Sequence, residues 1–266
     1  PRAVGALPGD PEAMILLVSG ATATLRGLPL DAPVGHLVTP FTQNRIDAIA
    51  CAGRPWAADN GCGPKADGTP GELDAAAFRA MLAQVAAATA GAHPAHQANP
   101  GPARRPLWVV VPDVVGDWRA TRARFDVWAP ELEALGLPLA YVAQDGQPWR
   151  ALPIGRIACL FLGGSTAYKE SDEARDLARA CKVHGVRLHV GRVNSERRLR
   201  LFDGLGLHPD GYPMAIDSCD GTQFSMYPDR YIPRWSERLQ PSLRGQVRPV
   251  PTTPLPLFED SHAPER

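Results

Sequence analysis

The sequence predicts an α/β fold, a single (β/α)8 barrel of the TIM type over residues 1–233, with a Pro-rich extended or partly disordered tail over 234–266. Three observations predict it. Short apolar runs alternate with segments of helical spacing, the pattern of strands buried on both faces and of the helices that cover them. Eight such runs occur. The length of 266 residues matches the roughly 250 that such a barrel needs as one domain. An open doubly wound sheet is the alternative arrangement of the same pattern.

The strands are read in order as Met14–Ser19, Gly35–Val38, Trp56–Ala58, Leu107–Val111, Leu139–Ala143, Ala158–Leu162, Arg187–Val190 and Pro213–Ile216. Helices fall between them. Leu73–Ala90 places Phe78, Met81, Leu82 and Val85 at helical spacing. Trp118–Leu135 follows the fourth strand. Ser171–His184 opens on a capping serine, with Glu173 and Asp176 in its first turns. Ser195–Leu205 opens on another serine. Residues 92–106, AHPAHQANPGPARRP, have no periodicity and read as a surface loop, with His93 and His96 as loop residues. Pro249, Pro251, Pro254 and Pro256 mark the tail.

Composition narrows the class. Lys+Arg and Asp+Glu are both 28, so the chain is not coated in one charge, although a local basic groove remains open to it. Five scattered cysteines, none in a C-x-x-C pair, argue against a disulfide framework and for a reducing, cytoplasmic setting. No apolar run approaches the roughly 20 residues of a membrane span. No cysteine spacing suits a metal, and the expected cofactor complement is none.

In a β/α barrel, chemistry gathers where strands end and the following loops begin. Those positions hold Asp59-Asn60-Gly61, Asp113, Gln144-Asp145-Gly146, Gly163-Gly164-Ser165-Thr166, Gly191-Arg192-Val193-Asn194, and the pair Asp217 and Asp220. Two carboxyl groups suit chemistry at a glycosidic carbon, one as nucleophile and one as proton carrier. Gly163 and Gly164 allow a flat substrate to approach the backbone. Gln144 and Asp113 offer the donors and acceptors that read a nucleobase edge. Arg192, Arg197 and Arg198, in RVNSERRLR, are candidates for holding a phosphate backbone. His189 reads as a core or pore residue of its strand, and Cys219 as packing.

From Trp56 to Asp220 these segments, in this order, resemble the tRNA-guanine transglycosylase superfamily, which includes DNA-modifying members from phages and bacteria. Ala58-Asp59-Asn60-Gly61-Cys62 resembles the turn that carries the family's general acid/base, which implies that role for Asp59. Asp113 is placed like the aspartate that hydrogen-bonds the base. Val142-Ala143-Gln144-Asp145-Gly146 and Leu162-Gly163-Gly164-Ser165 resemble the two base-binding segments. Ile216-Asp217-Ser218-Cys219-Asp220 is similar to the nucleophile motif, which makes Asp220 the nucleophile and leaves Asp217 to orient a neighbouring group at the substrate site. The resemblance implies a barrel that exchanges guanine for a 7-deazaguanine through a covalent aspartyl intermediate.

The chain departs from the tRNA enzymes in ways that shift the expected polymer. Their C-terminal zinc site needs cysteines, and none follows Cys219 here. Their Pro-Thr-Arg segment after the nucleophile is replaced by Gly221-Thr222-Gln223-Phe224. DNA is therefore favoured over tRNA as the nucleic-acid partner, with tRNA-guanine exchange, or a nucleosidase that uses water in place of the second base, as the alternatives.

Overall fold

A computed structural model describes residues 14–41, 45–63, 71–90, 105–202, 204–206, 208–209 and 214–239. Eight parallel strands close into a barrel in sequence order. They are β1 (Ile15–Val18), β2 (Val34–Val38), β3 (Trp56–Ala58), β4 (Val109–Val110), β5 (Leu139–Ala143), β6 (Cys159–Leu162), β7 (Arg187–Val190) and β8 (Ser218–Cys219). β8 closes the ring by pairing with both β7 and β1. The helices are α1 (Thr22–Arg26), α2 (Ile46–Cys51), α3 (Ala75–Thr89), α4 (Trp118–Ala134), α5 (Thr166–Lys169), α6 (Asp172–Val183), α7 (Glu196–Phe202), α8 (Thr222–Met226) and α9 (Pro228–Arg238). The barrel reading holds, and the open sheet is excluded.

Side chains of a strand alternate between two faces, and the barrel turns that alternation into two cores. Leu17, Leu37, Ala57, Trp108, Val110, Ala140, Val142, Cys159 and Phe161 point inward and fill the interior. Leu16, Trp56, Tyr141, Leu160, Leu188 and Cys219 point outward, against helical residues such as Phe78, Phe125 and Leu177. Both faces of β1, β5 and β6 are therefore apolar, which is why these strands read as unbroken hydrophobic runs, whereas β7 and β8 turn His189 and Ser218 inward. The helix starts follow from capping: the side chains of Asp74, Asp117 and Ser171 accept from backbone N–H groups of α3, α4 and α6 that would otherwise lack partners.

Two boundaries differ from expectation. The last strand is Ser218–Cys219, not Pro213–Ile216. Met214 and Ile216 are buried, but they pack without joining the ladder. The tail does not start at residue 234, because α9 runs through that point to Arg238. Ile232, Trp235 and Leu239 sit at helical spacing and are buried, each large side chain contributing about 1.5–3 kcal/mol by leaving water. Residues 240–266, and the segment at 91–104 with His93 and His96, lie outside the described residues. Among the described residues no helix is long and apolar enough to cross a membrane.

Candidate functional site

All strands run the same way, so the residues just after them share one rim. Asp59 follows β3, Gln144 follows β5, Gly163 follows β6, Gly191 follows β7 and Asp220 follows β8. The two-residue period fixes their direction. Ala57, Val142 and Phe161 face the interior, so Asp59, Gln144 and Gly163, two residues further along, face the mouth of the barrel. Asp113, from the loop after β4, joins this group through its contact with Gln144.

Asp220 has the most elaborate support. Its Oδ2 accepts from Nε2 of His189 at 3.0 Å, and its Oδ1 accepts from the backbone N–H of Arg192 at 3.0 Å. A carboxylate only accepts, so Nε2 of His189 is the donor. Nδ1 of the same ring lies 2.9 Å from Ser218 Oγ. The imidazole is fully buried, with ring centroids 4.8 Å from Trp108 and 4.4 Å from Phe161. Burial by itself pushes the Asp220 carboxyl up. The hydrogen bonds from His189 and Arg192, and the nearby Lys169 amine, outweigh it and hold the group below the usual carboxylate range.

Arg192 can offer that amide because its backbone is left-handed, with φ of 60°. It is the one non-glycine residue with positive φ among the described residues, a conformation that few side chains adopt. Gly191 before it has no room for a side chain, since a Cβ there would lie 2.6 Å from the Phe161 ring.

Asp59 is tuned the other way. Burial raises its carboxyl to about 7, against a lowering hydrogen bond from the Gly61 N–H at 2.8 Å. The negative charges of Asp220 and Asp113 add to the rise, and Arg192 opposes it. The rim thus carries two carboxyl groups whose affinities for a proton are driven apart, the arrangement that separates an acid from a nucleophile.

Asp113 is buried, and both of its oxygens are engaged. Oδ1 accepts from Asn60 Nδ2 at 2.7 Å and Oδ2 from Gln144 Nε2 at 2.6 Å. Gln144 Oε1 accepts from the Gly116 N–H at 2.9 Å. Burial raises the Asp113 carboxyl, with the Asn60 and Gln144 amides opposing. These three side chains form one polar unit that ties the loops after β3, β4 and β5 together. The glycines after β6 are demanded by protein neighbours: a Cβ on Gly163 would lie 2.6 Å from Val142 Cγ1, and one on Gly164, at φ of +71°, would lie 2.4 Å from Asp145 Oδ2.

Asp217 is not part of the site. It precedes β8, at the opposite end of the strand from Asp220, and its carbonyl accepts from the Ile15 N–H at the start of β1. Its neighbour Ser218 faces inward, so Asp217 turns outward to the helix layer. There both of its oxygens accept from Lys182 of α6 at 2.8 Å, and Oδ2 also accepts from the Leu188 N–H. The substrate-binding role expected for it is corrected to a structural one. Asp217→Asn should cost about 1–3 kcal/mol by weakening a part-buried, charge-assisted set of bonds. Chemical denaturation should show the loss, and any chemistry at the rim should be untouched.

The arginines divide. Arg192 and Arg198 line a pocket on the rim. Arg197 is turned to Glu170, which also pairs with Arg198 at 3.1 Å. Sequence reasoning missed His189 as a partner of Asp220, Asn60 as a partner of Asp113, and Lys169 altogether. The signal for His189 was parity: it lies two residues before the mouth-facing Gly191, hence inside. Among the described residues no group of three or more His, Cys, Asp or Glu is placed to hold a metal ion.

No family model and no curated protein matches the chain. Among solved structures, RipC from Yersinia pestis is similar over 79% of this chain and 89% of its own, with 11% sequence identity and a TM-score of 0.38. A likeness at that level carries no argument about the site.

Proposed function

We propose that the protein is a base-exchange glycosyltransferase that replaces guanine in nucleic acid, DNA before tRNA, by a 7-deazaguanine. The observation that carries this reading is the pair Asp220 and Asp59, two carboxyl groups on one rim with opposite proton affinities. Asp220, kept ionised, attacks C1′ of the target nucleotide. The C1′–N bond breaks, its electron pair leaves with guanine, and Asp59 supplies the proton. The incoming 7-deazaguanine then attacks C1′, loses its proton to Asp59, and releases Asp220. The target base must leave the helical stack to bring C1′ to the rim, so the polymer is bound flipped or single-stranded. The Asn60–Asp113–Gln144 unit is assigned to the edge of the base, and Arg192 and Arg198 to the backbone.

The reading is tested by incubating the protein with labelled guanine and either DNA or tRNA. Label should enter DNA, and no metal should be required. Release of guanine without incorporation would identify a nucleosidase. Label entering tRNA alone would reverse the choice of polymer.

A further inference from the structure

Beside Asp220 the rim opens into a pocket of about 550 Å³, lined in part by Gly164, Ser165, Lys169, Arg192, Asn194 and Arg198. Asp145 is the carboxylate of its wall, and that group is occupied by the N–H and hydroxyl of Ser165. Arg198 is shared between Glu170 and the Arg192 carbonyl. Arg192 makes no ion pair among the described residues.

Lys169 is the unusual member. It is 4% exposed, on the last position of α5. Its Nζ donates to the Gly191 carbonyl at 3.0 Å, the hydrogen bond it makes among the described residues. An ammonium has three donors, so two remain for whatever enters the pocket. Burying such a charge is costly unless it is paired, and among the described residues no carboxylate is in contact with it. The charge of Asp220 acts on it from a distance.

We infer that this pocket binds an anionic oxygen group, a phosphate or a carboxylate, with Lys169 Nζ as its buried donor and Arg192 as the second cation. The site deepens the proposed exchange by naming a bound group that the bond change at C1′ does not itself require, although the Lys169 charge also helps to keep Asp220 ionised. Two sources supply such a group: a phosphate of the polymer, or an acidic substituent on the free base. A cationic substituent is disfavoured by the same residues.

Titration calorimetry on the full chain tests this at pH 7 and low salt, where Lys169, lowered by burial to about 8, is largely charged. The probes are inorganic phosphate, guanosine 5′-monophosphate, guanosine, guanine and a 7-deazaguanine bearing a carboxylate. Inorganic phosphate should bind and weaken with added salt. Tighter binding of the monophosphate than of guanosine assigns the site to the polymer. Tighter binding of the acidic base than of guanine assigns it to the substituent. Lys169→Gln should lower affinity for the preferred anion by about 10- to 100-fold, the loss of one charge-assisted hydrogen bond. Arg192→Asn, which suits the left-handed backbone, should lower it by several-fold and decides the matter if the lysine variant does not fold. The inference is overturned if no acidic probe binds better than its neutral counterpart, or if a folded variant binds as the parent does. Anion binding that persists where no base exchange is found would uphold this site and remove the proposed function.

Discussion

Asp220→Asn should abolish the denaturation-stable adduct between protein and nucleic acid and lower exchange by about 10⁴-fold or more, the scale seen when a nucleophile is removed. The amide keeps the shape of the carboxylate, and the Arg192 N–H still finds an oxygen acceptor, so binding of the free base should change little. Under the proposed exchange, what is lost is the negative oxygen that attacks C1′. His189 should act through Asp220 as a positioning residue. His189→Leu removes the donor to Oδ2, so the Asp220 carboxyl should rise and the onset of activity should move to higher pH. His189→Gln restores a donor and should recover part of the shift. Lys169 and Asp59 also act at this position by charge, and Arg192 by its backbone N–H, and all remain in both variants. An adduct that persists in Asp220→Asn and disappears in Asp217→Asn would show that the wrong aspartate has been chosen.

Asp59→Asn should lower exchange by about 10²–10⁴-fold, the usual contribution of a placed proton carrier. The pH profile is the sharper readout. Under the proposed exchange Asp59 must hold a proton to pass it to guanine, and its carboxyl is raised to about 7. Activity should therefore fall as pH rises through about 7, and this limb should be missing in the asparagine variant. Stability should also fall as pH rises, over a lower window. Between the ordinary carboxylate value of 3.8 and about 7, the folded chain binds a proton that the unfolded chain has released. Raising the pH across that window ionises the part-buried group and costs stability, fully so above about 7. Asp59→Asn should therefore melt higher than the parent, by a margin that grows from pH 4 to pH 7. A falling limb that survives the substitution would assign the proton to another group.

The barrel was legible because most strands are short apolar runs with polar residues soon after them. Trp56–Ala58 before Asp59 and Leu139–Ala143 before Gln144 show this plainly. β8 was misplaced because hydrophobicity reports burial and says nothing about which backbone joins the ladder. Met214 and Ile216 are as buried as strand residues, while the ladder begins at Ser218. That shift put Asp217 on the wrong side of the strand. The pairing of His189 with Asp220 was out of reach for a related reason. Parity places His189 inside, but its partner depends on the register His189↔Ser218 between β7 and β8, which no pattern within one strand encodes. Lys169 was hidden because a lysine at the end of a short helix is ordinarily in water, and only the folded chain buries its amine, against the Gly191 carbonyl after β7.

The ring of His189, packed edge-on and tilted against Trp108 and Phe161, has a kinetic consequence. These three side chains are a floor beneath Asp220, and the rim above it is the doorway. Under the proposed exchange, the departing purine and its replacement must use that doorway in turn, and the polymer stays covalently tethered in the interval. Water waits at the same doorway. Whether a round of turnover ends in a modified nucleotide or in an abasic gap then becomes a race between the second base and solvent, set by how completely the bound strand seals the opening while the tether lasts.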